Sequence, residues 1–171
     1  WPCPDESHPG TTRRYIPGDP FVPEGKESYF YGKKDGKATV FLTPYQDRSD
    51  QLDEEFEFVL NTGRIVEQWH TGTMTDRIAI IRKGTPRGHF EMHRFDATRL
   101  GLSSNQKVKV TSRYGTLEGR VKVTESPRVG TVFACFYDDQ FMINQLVTDK
   151  RDPFSKQPDF KTTAVRVEAI S

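Results

Sequence analysis

The sequence predicts a mainly β domain, a closed barrel decorated by short helices, and three observations lead there. From residue 37 onward the chain is a succession of short β-rich runs separated by turn residues. Val108-Lys-Val-Thr and Val121-Lys-Val-Thr alternate apolar and polar side chains, as strands with one wet face do. Helical periodicity is confined to pieces of a few residues. The scale fits: 171 residues hold one domain with an extended arm, and 12 phenylalanines supply large side chains for one core although hydrophobic residues are only 34%.

In chain order, the first 23 residues hold six of the 11 prolines: Pro2, Pro4, Pro9, Pro17, Pro20 and Pro23. Proline has no amide donor, so residues 1–37 read as a proline-rich extended arm, anchored by Tyr15, Ile16, Phe21 and Val22. The barrel domain then spans 38–171. Its strands are expected at 38–43, 56–61, 90–93, 107–112, 116–124, 131–137 and 164–169, with Ser112-Arg-Tyr-Gly115 as a hairpin turn. Residues 47–57 are acidic and polar and read as an exposed loop. Helical pieces are expected at 75–82, carrying Ile78, Ile81 and Arg82; at 96–100, capped by Asp96; and at 139–147, where Phe141, Ile143, Leu146 and Val147 surround an amphipathic turn behind an acidic cap.

Charge and cysteine content exclude several classes. Lys+Arg 25 against Asp+Glu 24 leaves +1, which gives no support to a nucleic-acid binder. The mean hides a gradient: residues 1–60 hold 7 basic and 12 acidic side chains, a balance of −5, whereas 61–171 hold 18 and 12, a balance of +6. An anionic ligand on the basic part explains this, and so does a solvated lysine-rich surface. Cys3 stands between prolines and Cys135 inside an apolar run, reading as an exposed arm thiol and a buried strand thiol; with no CxxC pair or Cys/His spacing, no zinc or iron-sulfur cluster is expected here. No stretch approaches the ~20 apolar residues of a membrane span, and mean hydropathy is −0.71. The opening Trp-Pro-Cys-Pro has neither a basic nor an apolar targeting region, and a start on Trp1 reads as a piece of something longer.

The segment with most chemistry is Thr62-Gly-Arg-Ile-Val-Glu-Gln-Trp-His-Thr-Gly-Thr-Met-Thr75, leaving the strand at 56–61. Gly63 and Gly72 let backbone approach a ligand closely, and four threonine hydroxyls with the Arg64 guanidinium offer donors to phosphate oxygens. It matches neither the P-loop nor the dinucleotide fingerprint, so composition alone also allows an ordinary loop, with Trp69 in a core and His70 a satisfied loop histidine.

That segment resembles the signature of the C-terminal molybdopterin-dinucleotide-binding domain of the molybdopterin oxidoreductase family, the nitrate reductases in particular and most nearly their periplasmic catalytic subunits. Four further stretches carry the likeness along the chain: Arg14-Tyr-x-x-Gly-Asp-Pro-Phe-Val22, Phe30-Tyr-Gly-Lys-x-Asp-Gly-Lys-Ala38, Asp138 with Asn144, and Asp152-Pro-x-Ser-Lys-x-x-Asp-Phe-Lys161. The resemblance implies a double-psi β-barrel and a bis-molybdopterin guanine dinucleotide cofactor carrying molybdenum. It makes Thr62, Gly63, Arg64, Ile65, Val66, Glu67, Gln68, Trp69, His70 and Thr71 the main cofactor loop. Asn144 and Lys161 become further cofactor contacts, and Phe136 lines the substrate site. Lys161 alone reads equally as solvated and Phe136 as core.

The resemblance further implies a nitrate-to-nitrite oxidoreductase in electron transport or nitrate assimilation. This piece would be inactive alone, because the metal ligand and an iron-sulfur cluster belong to N-terminal domains of the same subunit. A periplasmic location and a di-haem cytochrome c donor go with it. A cytoplasmic assimilatory nitrate reductase, another molybdopterin oxidoreductase, and a stand-alone nucleotide-binding barrel are the alternatives. One departure stands out: the family pattern continues Met-Thr with two arginines, whereas Thr75 here precedes Asp76 and Arg77, which inverts a charge beside the expected anion site.

Overall fold

The computed structural model describes residues 6–7, 40–85 and 87–170, and Asp47–Ser171 forms one compact unit. Its elements run β1 (Phe58–Gly63), α1 (Ala79–Gly84), β2 (His89–His93), α2 (Arg94–Arg99), β3 (Lys107–Ser112), β4 (Thr116–Thr124), β5 (Thr131–Cys135) and β6 (Thr163–Ala169). The expected arm, with Cys3 and its four anchors, lies outside the described residues apart from Glu6 and Ser7, which are exposed.

The strands close into a barrel in the order β1-β5-β2-β4-β3-β6. Two seams are parallel, β1 with β5 and β2 with β4, and the remaining four are antiparallel. Exchanging β1 with β4, β2 with β5 and β3 with β6 maps this arrangement onto itself, seam by seam. The two halves of the chain are thus interlocked, each parallel seam joining a strand of one half to a strand of the other, which is the double-psi β-barrel.

Strand alternation fills the interior. Phe58 and Leu60 from β1, Phe90 and Met92 from β2, Val108 and Val110 from β3, Val121 from β4, Val132 and Ala134 from β5 and Val165 from β6 are all buried. Each large apolar side chain among them contributes about 1.5–3 kcal/mol relative to exposure. One inward position must stay small. A Cβ on Gly119 of β4 would stand 2.8 Å from the Gly88 carbonyl oxygen, 2.8 Å from the Phe141 ring and 3.0 Å from the Phe90 ring. Gly119→Ala is therefore expected to destabilise by about 1–3 kcal/mol through overpacking; an unchanged urea midpoint would show that the rings give way.

β3 and β4 occupy the expected ranges, joined at Ser112-Arg-Tyr-Gly115, where the Ser112 amide donates to the Gly115 carbonyl at 2.9 Å. Other expectations are corrected. Of the strand expected at 38–43, residues 38–39 lie outside the described residues, and 40–43 form no strand, with Val40, Phe41 and Leu42 exposed. Asp96 is not a cap. His93 caps α2, its Nδ1 accepting the Phe95 amide at 3.2 Å, while Asp96 lies buried and takes the Gly130 amide at 2.8 Å, fastening α2 to the turn before β5. Residues 139–147 hold only a 3-10 turn, Ile143–Gln145, although Phe141, Ile143 and Leu146 are buried as their spacing suggests. The expected helix at 75–82 divides into a 3-10 turn, Thr75–Arg77, and α1. The acidic loop at 47–57 is mostly exposed but sinks Asp50 and Phe56 into the structure.

Candidate functional site

Strand register decides what comes together. Gly63 lies beside Cys135, Phe90 beside Ala134, Thr111 beside Thr116 and Ser112 beside Val165. The C-terminal ends of β1, β3 and β5 therefore share one rim with the N-terminal ends of β2, β4 and β6. Every residue the sequence singles out emerges there: 62–71 at and beyond the end of β1, Phe136 just past β5, Asn144 on the following 3-10 turn, and Lys161 just before β6.

The base of this rim is cross-braced. The Thr62 hydroxyl and amide both donate to the Phe160 carbonyl, at 3.0 and 3.2 Å, and the Lys161 ammonium donates to the Thr62 carbonyl. The Phe136 amide donates to the Gly63 carbonyl at 3.2 Å. Loop 64–74 then rises over the rim around a buried polar pin. Gln68 is 4% exposed; its Oε1 accepts from the Thr75 hydroxyl and its Nε2 donates to the Thr85 hydroxyl at 3.4 Å, which in turn donates to the Ile81 carbonyl at 2.7 Å. The Gln68 side chain thus holds the loop and is spent on it, and the Gln68 amide donates to the Ile65 carbonyl at 3.4 Å. His70 and Gly72 adopt left-handed φ of 55° and 75°, turning the chain so that the Gly72 amide donates to the Trp69 carbonyl at 2.9 Å. Trp69 is 66% exposed, so it is no core residue, and the His70 ring sits 5.4 Å from the Phe136 ring.

Beside the loop lies a cavity of ≈ 440 Å³ whose walls include Arg64, Ile65, Val66, Glu67, His89 and Phe133. Lys122 and Glu91, also in its wall, neutralise each other at 2.8 Å. Arg64 and the Asn144 carboxamide form no hydrogen bond or ion pair among the described residues. Lys161 spends one donor on Thr62. A guanidinium, an ammonium with spare N–H groups and an amide with both donor and acceptor are what a phosphate-linked nucleotide needs, and the exposed Trp69 ring offers a stacking face. The residues present fit such a group.

A second cluster, which the sequence did not single out as a site, locks the rim. Arg87 bridges Asp76 at 2.6 Å, Asp138 at 3.1 Å and Asp139 at 3.4 Å, with its guanidinium 5.6 Å from the Tyr137 ring centre. Asp138 is buried and also accepts the Gly88 and Gln140 amides, each at 3.1 Å. Burial, reinforced by Asp138, pushes the Tyr137 phenol up to about 12, so it stays neutral. Asp76 is ion-paired to Arg87, a guanidinium it shares with Asp138 and Asp139. Cys135 is half-buried at the end of β5, and burial raises its thiol pKa.

The family model for the molydopterin dinucleotide binding domain matches residues 58–164, from the start of β1 into β6. A nitrate reductase of Symbiobacterium thermophilum is 46% identical over 98% of this chain and 23% of its own length. A periplasmic nitrate reductase of Desulfovibrio desulfuricans is 36% identical over 98% of this chain and 22% of its own. The chain thus spans under a quarter of the length of these curated relatives. Among solved structures, acetylene hydratase from Pelobacter acetylenicus superposes with a TM-score of 0.54 at 17% identity, over 66% of this chain and 18% of that one, a likeness of fold.

Proposed function

The chain belongs to the molydopterin dinucleotide binding domain family, and from that premise we propose that it positions a bis-molybdopterin guanine dinucleotide in a molybdenum nitrate reductase converting nitrate to nitrite. The observation that carries this reading is the convergence of loop 62–71, Phe136, Asn144 and Lys161 on one braced barrel rim. When bound, the cofactor supplies the molybdenum centre for a two-electron reduction. The chain's own residues bind and orient: Arg64 and Lys161 hold phosphate charge, Asn144 reads a ring edge, the exposed amides of the loop meet oxygens, and Phe136 gives the substrate side an apolar wall. The relatives named nitrate reductase support the reaction, and the periplasmic name of the Desulfovibrio desulfuricans relative supports a periplasmic enzyme. In that setting the remaining domains of the same subunit contribute the metal ligand and an iron-sulfur cluster, and a di-haem cytochrome c delivers electrons.

The test is cofactor retention in the full-length enzyme. Arg64→Ala and Lys161→Ala each remove charge-assisted hydrogen bonds worth about 1.5–3 kcal/mol, roughly a ten- to hundredfold loss of affinity. Molybdenum per chain and guanine nucleotide released on denaturation should both fall, with circular dichroism unchanged. Wild-type content in both variants would remove these side chains from the site.

A further inference from the structure

The turn joining β3 to β4 carries no residue placed at the cofactor, yet it reaches the supports of both outlying contacts, Asn144 and Lys161. Gly115 lies against the 3-10 turn Ile143–Gln145. A Cβ on Gly115 would stand well inside contact distance of the Gln145 carbonyl oxygen and 3.3 Å from the Gln145 carbonyl carbon. Both obstacles are backbone, so a side chain at 115 is accommodated only by moving the 3-10 turn or the hairpin itself. The 3-10 turn has no room to retreat inward, because Ile143 and Leu146 are buried in the core beneath it. Asn144 sits between Ile143 and Gln145 and is exposed, so any movement of that backbone carries its carboxamide along.

Tyr114 and Arg113 reach the other contact. The Thr148 hydroxyl donates to the Tyr114 hydroxyl at 3.0 Å, while the Thr148 amide donates to the Thr163 hydroxyl at 3.0 Å. Thr148 and Thr163 are both buried, which shields this link from water. Arg113 bridges Asp50 at 2.6 Å, and Asp50 accepts the Ala164 amide at 2.7 Å. Two separate chains of hydrogen bonds therefore run from one turn to residues 163 and 164, just after Lys161, whose ammonium donates to the Thr62 carbonyl.

We infer that the β3–β4 turn is the positioning element of the cofactor site: Gly115 sets where Asn144 stands, and Tyr114 with Arg113 fixes the start of β6 and thereby Lys161. The turn itself meets no ligand and acts through those two residues. Hydrogen bonds weaken steeply when their geometry is lost, so a small displacement of either contact is felt in retention. The inference rests on the reading of Asn144 and Lys161 as cofactor contacts and deepens it, adding to the site a hairpin outside every stretch that carries the family likeness.

The test follows molybdenum and guanine nucleotide released over time from the full-length enzyme in urea below its unfolding transition. Gly115→Ala should speed release about fivefold and Tyr114→Phe about threefold, within the range of coupling between residues in contact. In an Asn144→Ala background Gly115→Ala should add less than about twofold, and so should Tyr114→Phe in a Lys161→Ala background, because the residue through which each acts is gone. Gly119→Ala, whose overpacking lies inside the barrel, controls for lost stability alone and should leave release within about twofold of wild type. Amide exchange at Leu146 and Val147, which donate to the Ile143 and Asn144 carbonyls at 3.0 and 3.3 Å, should quicken in Gly115→Ala and show the displaced turn directly. Wild-type release in Gly115→Ala or in Tyr114→Phe, full additivity with Asn144→Ala and Lys161→Ala, or equal acceleration by Gly119→Ala would overturn the inference and leave the proposed function standing. Unchanged release in Asn144→Ala and Lys161→Ala themselves would instead strike those side chains from the site, and the positioning role with them.

Discussion

Asp138→Ala is expected to lower unfolding free energy by about 2–5 kcal/mol, chiefly because two backbone amides lose their acceptor at about 1–3 kcal/mol each. Arg87, whose side chain is 30% exposed, adds a smaller loss. The Asp138 side chain is 4% exposed and takes three donors: Arg87 and the Gln140 amide on Oδ1, and the Gly88 amide on Oδ2. Alanine leaves both amides without their acceptor, and Arg87 keeps only the more exposed Asp76 and Asp139. These donors come from the approach to β2 and the exit from β5, so the damage falls on the rim that carries the candidate cofactor loop. Asp138→Asn retains an acceptor and loses the charge, and should recover about half of the deficit. Urea unfolding measures the total, and amide exchange at Gly88 and Gln140 locates it. A change below about 1 kcal/mol would mean that Asp76 and Asp139 hold Arg87 unaided.

What the sequence disclosed, and what it hid, follows from the range of each interaction. The β3–β4 hairpin was legible to the residue because alternation and a tight turn are local. β1 runs from Phe58 to Gly63, two residues later than expected, because Phe56 is apolar for another reason: it packs under the Arg113 guanidinium, 4.7 Å from its ring centre, outside the ladder. Residues 40–43, the described part of the expected run at 38–43, have strand composition but form no strand, and the six barrel strands already pair with one another around the closed barrel. Parallel seams such as β1 with β5 join segments far apart in the chain, and no local pattern encodes them. Of the site, the loop chemistry could be read from Thr62 to Thr71, whereas convergence of Asn144 and Lys161 on it depends on barrel register. Arg87 was silent because its meaning lies in Asp138, 51 residues on. Asp50 was misread outright, one acid in a loop of acids.

Asp50→Ala is the corresponding expected result at that position, a loss of about 3 kcal/mol or more. Asp50 is 5% exposed; its Oδ1 accepts from Arg113 at 2.6 Å and its Oδ2 accepts the Ala164 amide at 2.7 Å. One carboxylate thus joins the loop at 47–57 to the β3–β4 turn and to β6 where β6 pairs with β1. Two costs follow from alanine. The Ala164 amide, inside the structure, loses its acceptor, worth about 1–3 kcal/mol. Arg113 loses its buried partner but keeps Asp53, whose half-exposed carboxylate softens the loss. The second cost is therefore the smaller, and Arg113→Ala should destabilise less than Asp50→Ala, since Asp50 would still accept the Ala164 amide. Asp50→Asn, with an oxygen left for that amide, should fall between wild type and alanine. Equal losses in Asp50→Ala and Arg113→Ala, measured by urea unfolding, would show that the ion pair and not the strand amide is what Asp50 serves.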